Sequence, residues 1–306
     1  MGRYIVRRLA LSVPVFVGIT VIIFGLMAVT PGDPISITMG EKADPVVVAR
    51  VRHELGLDRP LWEQYVYYVW NAAHGDFGSS FYYRDRTVAS IVADGLPVSA
   101  MLGLMATGIA VLLAVPLGIL AALRQNSLID YLGMSFAVAG VSVPIFVVAP
   151  MLIWIFALQL NLLPVAGWGS VQQAVIPGAA LVIRPAALLA RQIRQSVIEV
   201  LGQDYVRTAR AKGLRELETI AVHVLRNALI PVVTVLGLVV AGLITGTFII
   251  ETISAVPGIG NIAVTSVFRR DFPVLMAISL IYAVAYVILN LVVDVLYGVI
   301  DPRIRY

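Results

Sequence analysis

Six stretches of the chain, at 9–30, 98–123, 132–160, 174–196, 228–250 and 274–299, are long, apolar and almost free of charge. No other feature limits the fold as strongly. About 20 apolar residues cross the hydrocarbon core as a helix, and inside that core every backbone N–H and C=O must find its partner within the chain. The sequence therefore predicts an all-α polytopic membrane protein with six transmembrane helices. The first stretch follows Arg3, Arg7 and Arg8 and ends at Met27-Ala28-Val29-Thr30-Pro31. It is too long for the apolar region of a signal peptide and has no small-x-small cleavage site, so it reads as an uncleaved signal anchor.

Composition excludes other classes. With 59% hydrophobic and 13% charged residues, the chain has about half the charge that covers a soluble surface, which rules out a disordered chain or a cytosolic enzyme. The absence of cysteine removes disulfides, thiol catalysis and Cys-based metal sites. His53, His74 and His223 are far apart, so neither a metal centre nor a cofactor is expected.

The net charge of +4 raises the question of nucleic acid, but the basic residues sit in loops between apolar runs, and none is expected to bind it. With the N-terminus inside, cytoplasmic segments hold 14 basic residues against 6 acidic ones, and outer segments 8 against 11. This excess places both termini in the cytoplasm. Pro14, Pro116, Pro144, Pro150, Pro177, Pro185 and Pro231 interrupt the spans; they suit a bent bundle around a path, and they also suit the general abundance of proline in membrane helices. Gly242 and Gly246 form a small-xxx-small pair of the kind that permits close helix approach.

Two polar segments stand out. The outer one, 31–97, starts with a Pro31-Gly32-Asp33-Pro34 turn. Asp44-Pro45 then reads as N-cap and first residue of a short helix ending at Gly56, and a second helix starts near Asp58 to Pro60. That second helix carries Trp62, Tyr65, Tyr67, Tyr68 and Trp70, which form either an interfacial belt or a surface for a soluble partner. The chain thus divides into 1–97, a first span with an extracytoplasmic helical insertion, and 98–306, a core of five spans.

The inner segment lies within 199–231. Asp204 is its candidate N-cap, basic residues follow over the next turns, and Gly213 sits where a helix should end. Ala209 and Ala211 keep this helix slim, and a second short helix is expected to run toward Asn227. Such a knob between spans is either a contact for a partner or a basic loop lying on anionic headgroups.

The residues Arg207-Thr208-Ala209-Arg210-Ala211-Lys212-Gly213-Leu214 and His223-Val224-Leu225-Arg226-Asn227-Ala228-Leu229-Ile230-Pro231 resemble the EAA loop of bacterial ABC-transporter permeases of the peptide/nickel importer class. Arg3-Tyr4, Leu55-Gly56-Leu57-Asp58-Arg59-Pro60, His74-Gly75-Asp76-Phe77-Gly78, Glu251-Thr252, Pro257-Gly258-Ile259-Gly260 and Asp301-Pro302-Arg303-Ile304-Arg305-Tyr306 extend the likeness over the whole chain. It resembles the first permease of dipeptide and oligopeptide importers, and a type I ABC importer permease fold is what this implies. It also implies a bacterial plasma membrane protein whose partners are a second homologous permease, ABC ATPase subunits, an extracytoplasmic substrate-binding protein, a peptide substrate and membrane lipid.

On the same resemblance, Asp204, Tyr205, Arg207, Thr208, Ala209, Ala211, Lys212, Gly213 and Leu214 form the loop that docks on the ATPase. Arg207 stands where the family's naming glutamate would be, and Pro231 lies further from Gly213 than in the general pattern. No Gly-x4-Gly-Lys-Ser/Thr loop is present, so ATP hydrolysis is expected in another subunit and the chain is read as a non-enzyme.

Three polar residues inside spans complete the candidates. Arg184 either faces the substrate path, meeting a peptide carboxylate, or snorkels with Arg191 and Arg194. Asn290 and Asp294 share a helix face and either bond between helices or touch substrate. Permeases for nickel or another small solute and gradient-driven secondary transporters are the alternatives, the latter disfavoured by the lack of internal repeats and of further intramembrane charges. A membrane hydrolase lacks its His-Glu-x-x-His or Ser/His signature.

Overall fold

The computed structural model describes residues 2–29, 45–54, 56–83 and 85–300; the turn at 31–34, Asp44, Leu55, the motif at 301–306 and the side chain of Asp294 lie outside the described residues. Among those described, the chain is helical, with no strand beyond an isolated bridge between Ser79 and Thr87. The helices run α1 (Gly2–Val29), α2 (Pro45–Glu54), α3 (Leu61–Ala73), α4 (Val88–Leu123), α5 (Leu128–Ser142) and α6 (Ile145–Leu152), which widens into a π turn at Ile153–Gln159. They continue as α7 (Val171–Leu201), α8 (Asp204–Ala211), α9 (Glu216–Glu218) with a π turn at Thr219–Val224, α10 (Leu225–Ile253), α11 (Ile259–Arg269) and α12 (Phe272–Ile300).

Among the described residues, four helical stretches are long and apolar enough to cross a membrane: Val88–Leu123, Val171–Leu201, Glu216–Val240 and Phe272–Val293. Leu128–Ser142 with Ile145–Gln159 makes a fifth if the bent pair is one span, and Ala10–Leu26 within α1 is a shorter apolar helix. Three boundaries differ from those read off the sequence. The second span starts at Val88, so Pro97 lies inside α4 and the end of the supposed outer segment is already helix. The expected run 132–160 bends by 105°. At the bend Val143 is extended, with φ −81° and ψ 123°, because the Pro144 ring excludes helical backbone in the residue before it. Finally, the second helix of the inner segment is not a separate piece: from Glu216 it passes through the π turn directly into α10.

The chain forms two compact units. One comprises Ala100–Val256 with the stretch from Ile288 onward, and α7 is its centre, packing on α10, α5 and α6. Close approach depends on missing side chains. A Cβ on Gly118 would lie 2.7 Å from the carbonyl oxygen of Ala190 and 2.8 Å from Ile193, so α4 presses backbone to backbone on α7. The small-residue contact expected at Gly242 is found here instead; a Cβ on Gly242 would meet nothing within 4 Å. α7 opens with a capping box in which Ser170 Oγ accepts the Gln173 N–H at 3.3 Å and Gln173 Oε1 accepts the Ser170 N–H at 3.2 Å.

The other unit comprises Gly2–Ser99 with Pro257–Val287. Tyr65 on α3 meets α1, its hydroxyl 2.8 Å from Thr20 Oγ1 and its ring edge-on to Phe24 with centroids 5.6 Å apart. Trp62, Tyr67 and Trp70 stay exposed, so the aromatic run of α3 is split between packing and surface. Val88, Ile91, Val92, Ile259, Val274, Ala277 and Ile278 form a core. Ser99 Oγ accepts the Ile259 N–H at 2.9 Å and so caps α11 from α4.

Asp271 organises the remainder of this unit. The αL conformation of Arg270, φ 54°, ends α11 with the Asp271 N–H bonded to Ser266 O at 2.9 Å, and Asp271 O then accepts the Leu275 N–H at 3.1 Å to begin α12. Its fully buried carboxylate accepts the N–H groups of Phe81 at 3.0 Å and Tyr82 at 3.3 Å, and the Ser80 hydroxyl. Asp271→Ala removes the acceptor, so the half-buried Phe81 N–H and Ser80 hydroxyl lose this partner while the Tyr82 N–H keeps only the Ser80 hydroxyl at 3.2 Å. We expect a loss of about 2 kcal/mol, read as a lower unfolding midpoint and faster proteolysis within 79–87.

Candidate functional site

Gly202 and Gln203 separate α7 from α8, a two-turn helix fixed by its termini. Gln203, not Asp204, holds the N-cap position, and its side chain makes no capping bond. Asp204 is instead the first helical residue, where its charge still favours the helix N-terminus. It pairs only loosely with Arg207, at 3.6 Å, and both side chains are largely exposed, so this contact adds little. The far end closes as the sequence suggests: Gly213 has φ +78°, its N–H reaches Arg210 O at 2.9 Å and the Leu214 N–H reaches Ala209 O at 3.4 Å.

The helix has two faces. Val206 and Ala209 are buried and face the body of the unit, where α8 packs on the π turn Thr219–Val224. Asp204, Tyr205, Arg207, Thr208, Arg210, Ala211, Lys212 and Gly213 are exposed, and Leu214 is half-buried. Ala209 therefore belongs to the inward face, where a small residue lets the helix lie close, whereas its expected companion Ala211 points outward. Across the Gly213 turn, Arg210 donates to Glu216 through Nε at 3.1 Å and Nη2 at 2.6 Å. That hydrogen bond raises the already high pKa of Arg210 and ties the end of α8 to the start of α9. The π turn beyond carries a fully buried Thr219 whose hydroxyl has no hydrogen-bond partner among the described residues.

Arg184 stands apart from this group, 20 residues before Asp204, and its side chain is exposed on α7. Asn290 is half-buried on α12; the helix extends through position 294, so the two polar positions share a face, although the Asp294 side chain is outside the described residues.

Sequence reasoning missed one pair. Asp130, in the first turn of α5, is 2% exposed and binds Arg194 of α7 in bidentate fashion, Nε to Oδ1 at 2.5 Å and Nη2 to Oδ2 at 2.7 Å. The Asn126 N–H adds a further bond to Oδ2 at 3.0 Å, and Ser127 caps the same turn by accepting the Asp130 N–H at 3.4 Å. Arg194 is thus committed to Asp130 and does not snorkel with Arg184. The signal was present: Asp130 is the one acid between Asp94 and Glu199, and it follows Ser127 at capping spacing.

Two families match the chain. Residues 114–306 match one described as "Binding-protein-dependent transport system inner membrane component", and residues 1–103 match the N-terminal part of such membrane components. The chain is 43% identical over 305 residues to the dipeptide transport system permease protein DppB of Bacillus subtilis, covering 100% of this chain and 98% of that protein. The oligopeptide transport system permease protein OppB of Haemophilus influenzae is 41% identical over 309 residues, with both chains covered completely. DppB of Escherichia coli K12 is 38% identical over 338 residues, covering 100% of this chain and 99% of its own. Among solved structures, the MetNI methionine ABC transporter in inward-facing conformations superposes with TM-score 0.57 at 15% identity, covering 69% of this chain and 96% of that one. An amino acid ABC transporter matches with TM-score 0.55 at 19% identity, covering 68% and 93%. At these identities the two structures speak to the fold alone.

Asp130→Ala should cost about 2 kcal/mol, since it leaves the half-buried Arg194 guanidinium without its bidentate counter-ion. Thermal unfolding of the purified complex checks this, and the double variant Asp130→Leu/Arg194→Met should recover most of the loss.

Proposed function

The chain belongs to the family of inner membrane components of binding-protein-dependent transport systems, and from that membership we propose its place in one. It is the permease subunit of an ATP-driven importer for dipeptides or oligopeptides. With a second homologous permease it encloses the path, an extracytoplasmic binding protein delivers the peptide, and ATPase subunits supply the energy. Both termini lie in the cytoplasm, in keeping with the excess of basic residues on that side. The six spans divide into a first span with an outer helical insertion and a core of five.

The observation that carries this reading is the exposed face of α8, closed by the Gly213 turn and joined to α9 by Arg210 and Glu216. Asp204, Tyr205, Arg207, Thr208, Ala211, Lys212 and Gly213 present a basic, small-residue surface to an ATPase subunit, Ala209 seats the helix from behind, and Leu214 begins the return to the membrane. When the ATPases close on ATP, α8 is displaced. Because α7 enters it through two residues and α9 leads without a break into α10, both spans move with it. The membrane path then alternates between outward and inward opening.

A side chain at Gly213 would meet no atom within 4 Å, so substitution there tests conformation and not space. Gly213→Val should reduce ATP-driven peptide uptake by the reconstituted complex by about tenfold or more, because a β-branched residue resists positive φ, whereas Gly213→Asn should retain most of it. Undiminished uptake in the Val variant would sink the coupling assignment.

A further inference from the structure

The centre of α7 poses a problem that the assignment above leaves open. Arg184 lies 13 residues after Val171, about 20 Å along a 31-residue helix, which places its charge deep in the hydrocarbon zone. It is exposed, and among the described residues it has no carboxylate partner. An unpaired arginine at that depth is costly against lipid, so it faces something polar.

Its neighbours show the direction. Arg191, Gln195 and Glu199 follow at i+7, i+11 and i+15, which sets all four on one face of the helix, and all four are exposed. The half-buried Leu188 completes the stripe. The same face in the outer half of α7, at Pro177, Ala180 and Leu181, is buried. A polar track thus begins at mid-span and runs to the cytoplasmic end of α7, ahead of α8. Arg194 lies off this face and takes up the carboxylate of Asp130, which therefore does not neutralise the track.

We propose that Arg184, Arg191, Gln195 and Glu199 line the water-filled path, and that Arg184 with Arg191 forms a cationic station that binds the free carboxylate of the transported molecule. This rests on the importer reading and deepens it. The required substrate feature is a carboxylate, and its occupant at this depth is the substrate with water, not lipid and not the second permease. Charge complementarity selects that occupant: two arginines about 10 Å apart along the helix, with Gln195 and no acid between Arg184 and Glu199 on the same face.

Because the chain has no cysteine, every thiol introduced into it is unique. Single variants Arg191→Cys, Gln195→Cys and, as an apolar exposed reference on α4, Leu104→Cys are assembled into the complete importer in liposomes. Each is treated with membrane-impermeant methanethiosulfonates, one anionic (sulfonatoethyl) and one cationic (trimethylammonium-ethyl), and modification is read from the mass of this chain. On the proposal, positions 191 and 195 react about tenfold or more faster than 104, since only a hydrated thiol ionises. At Gln195→Cys the anionic reagent is faster than the cationic one, and adding Arg184→Gln removes that preference. Alanylalanine slows the modification; its C-terminal amide does not. Stripe positions no more reactive than 104 would mean that lipid or the second permease covers the face, and the proposal is then wrong. Equal rates for the two reagents, or equal protection by peptide and amide, would overturn the carboxylate station. ATP-driven uptake by the unmodified complex is measured in parallel. Its absence would count against the importer reading, while normal uptake with an unreactive stripe would count against this inference only.

Discussion

The high cost of a charge in hydrocarbon orders this molecule. An ionised group taken out of bulk water must be matched, hidden or wetted, and the structure uses separate answers at separate places. Asp130 is hidden and matched by the guanidinium fork of Arg194. Among the described residues no cation is bonded to the Asp271 carboxylate; it is satisfied by backbone N–H groups and a serine hydroxyl, which makes it an organiser of the chain around it. Arg184 has neither solution among the described residues, and that contrast gives its exposed face a meaning that an exposed leucine lacks.

Helix contacts obey the same economy of space. With lipid as apolar as the helices themselves, association depends on fit, and α7 obtains it where Gly118 brings α4 against the Ala190 carbonyl. The ion pair from α5 and the glycine contact from α4 converge on one stretch of α7, 190–194. The polar track leaves the same stretch in another direction. α7 thereby combines a rigid packed side with an open one, just before the chain turns into α8.

Much of this was readable from residue types alone. Apolar runs located the membrane helices, Pro45 marked the start of α2, and Gly213 marked the end of α8 with its positive φ. What escaped has physical reasons. Asp130 and Arg194 are 64 residues apart, and nothing in either neighbourhood names the other. A π turn arises when a helix accommodates one residue too many, which has no compositional mark, so Thr219–Val224 hid the continuity of α9 with α10. Pro144 was visible as a helix bender, but a bend of 105° depends on what the two arms pack against. The stripe of α7 was present as spacing, while the buried half of the same face became apparent only with the neighbouring helices in place.

The unbroken helix beyond α8 has a mechanical consequence. From Glu216 it runs through the π turn Thr219–Val224 and past Pro231 to Ile253, about 57 Å at 1.5 Å per residue, with its start beside the Arg210 and Glu216 clasp. A loop between two helices would absorb a push as slack; a stiff arm converts it into travel. On the coupling proposed above, each degree of tilt of such an arm carries its far end roughly 1 Å. In such a lever the gain is set by length, so the reach of the proposed coupling scales with how far the helix runs before it bends.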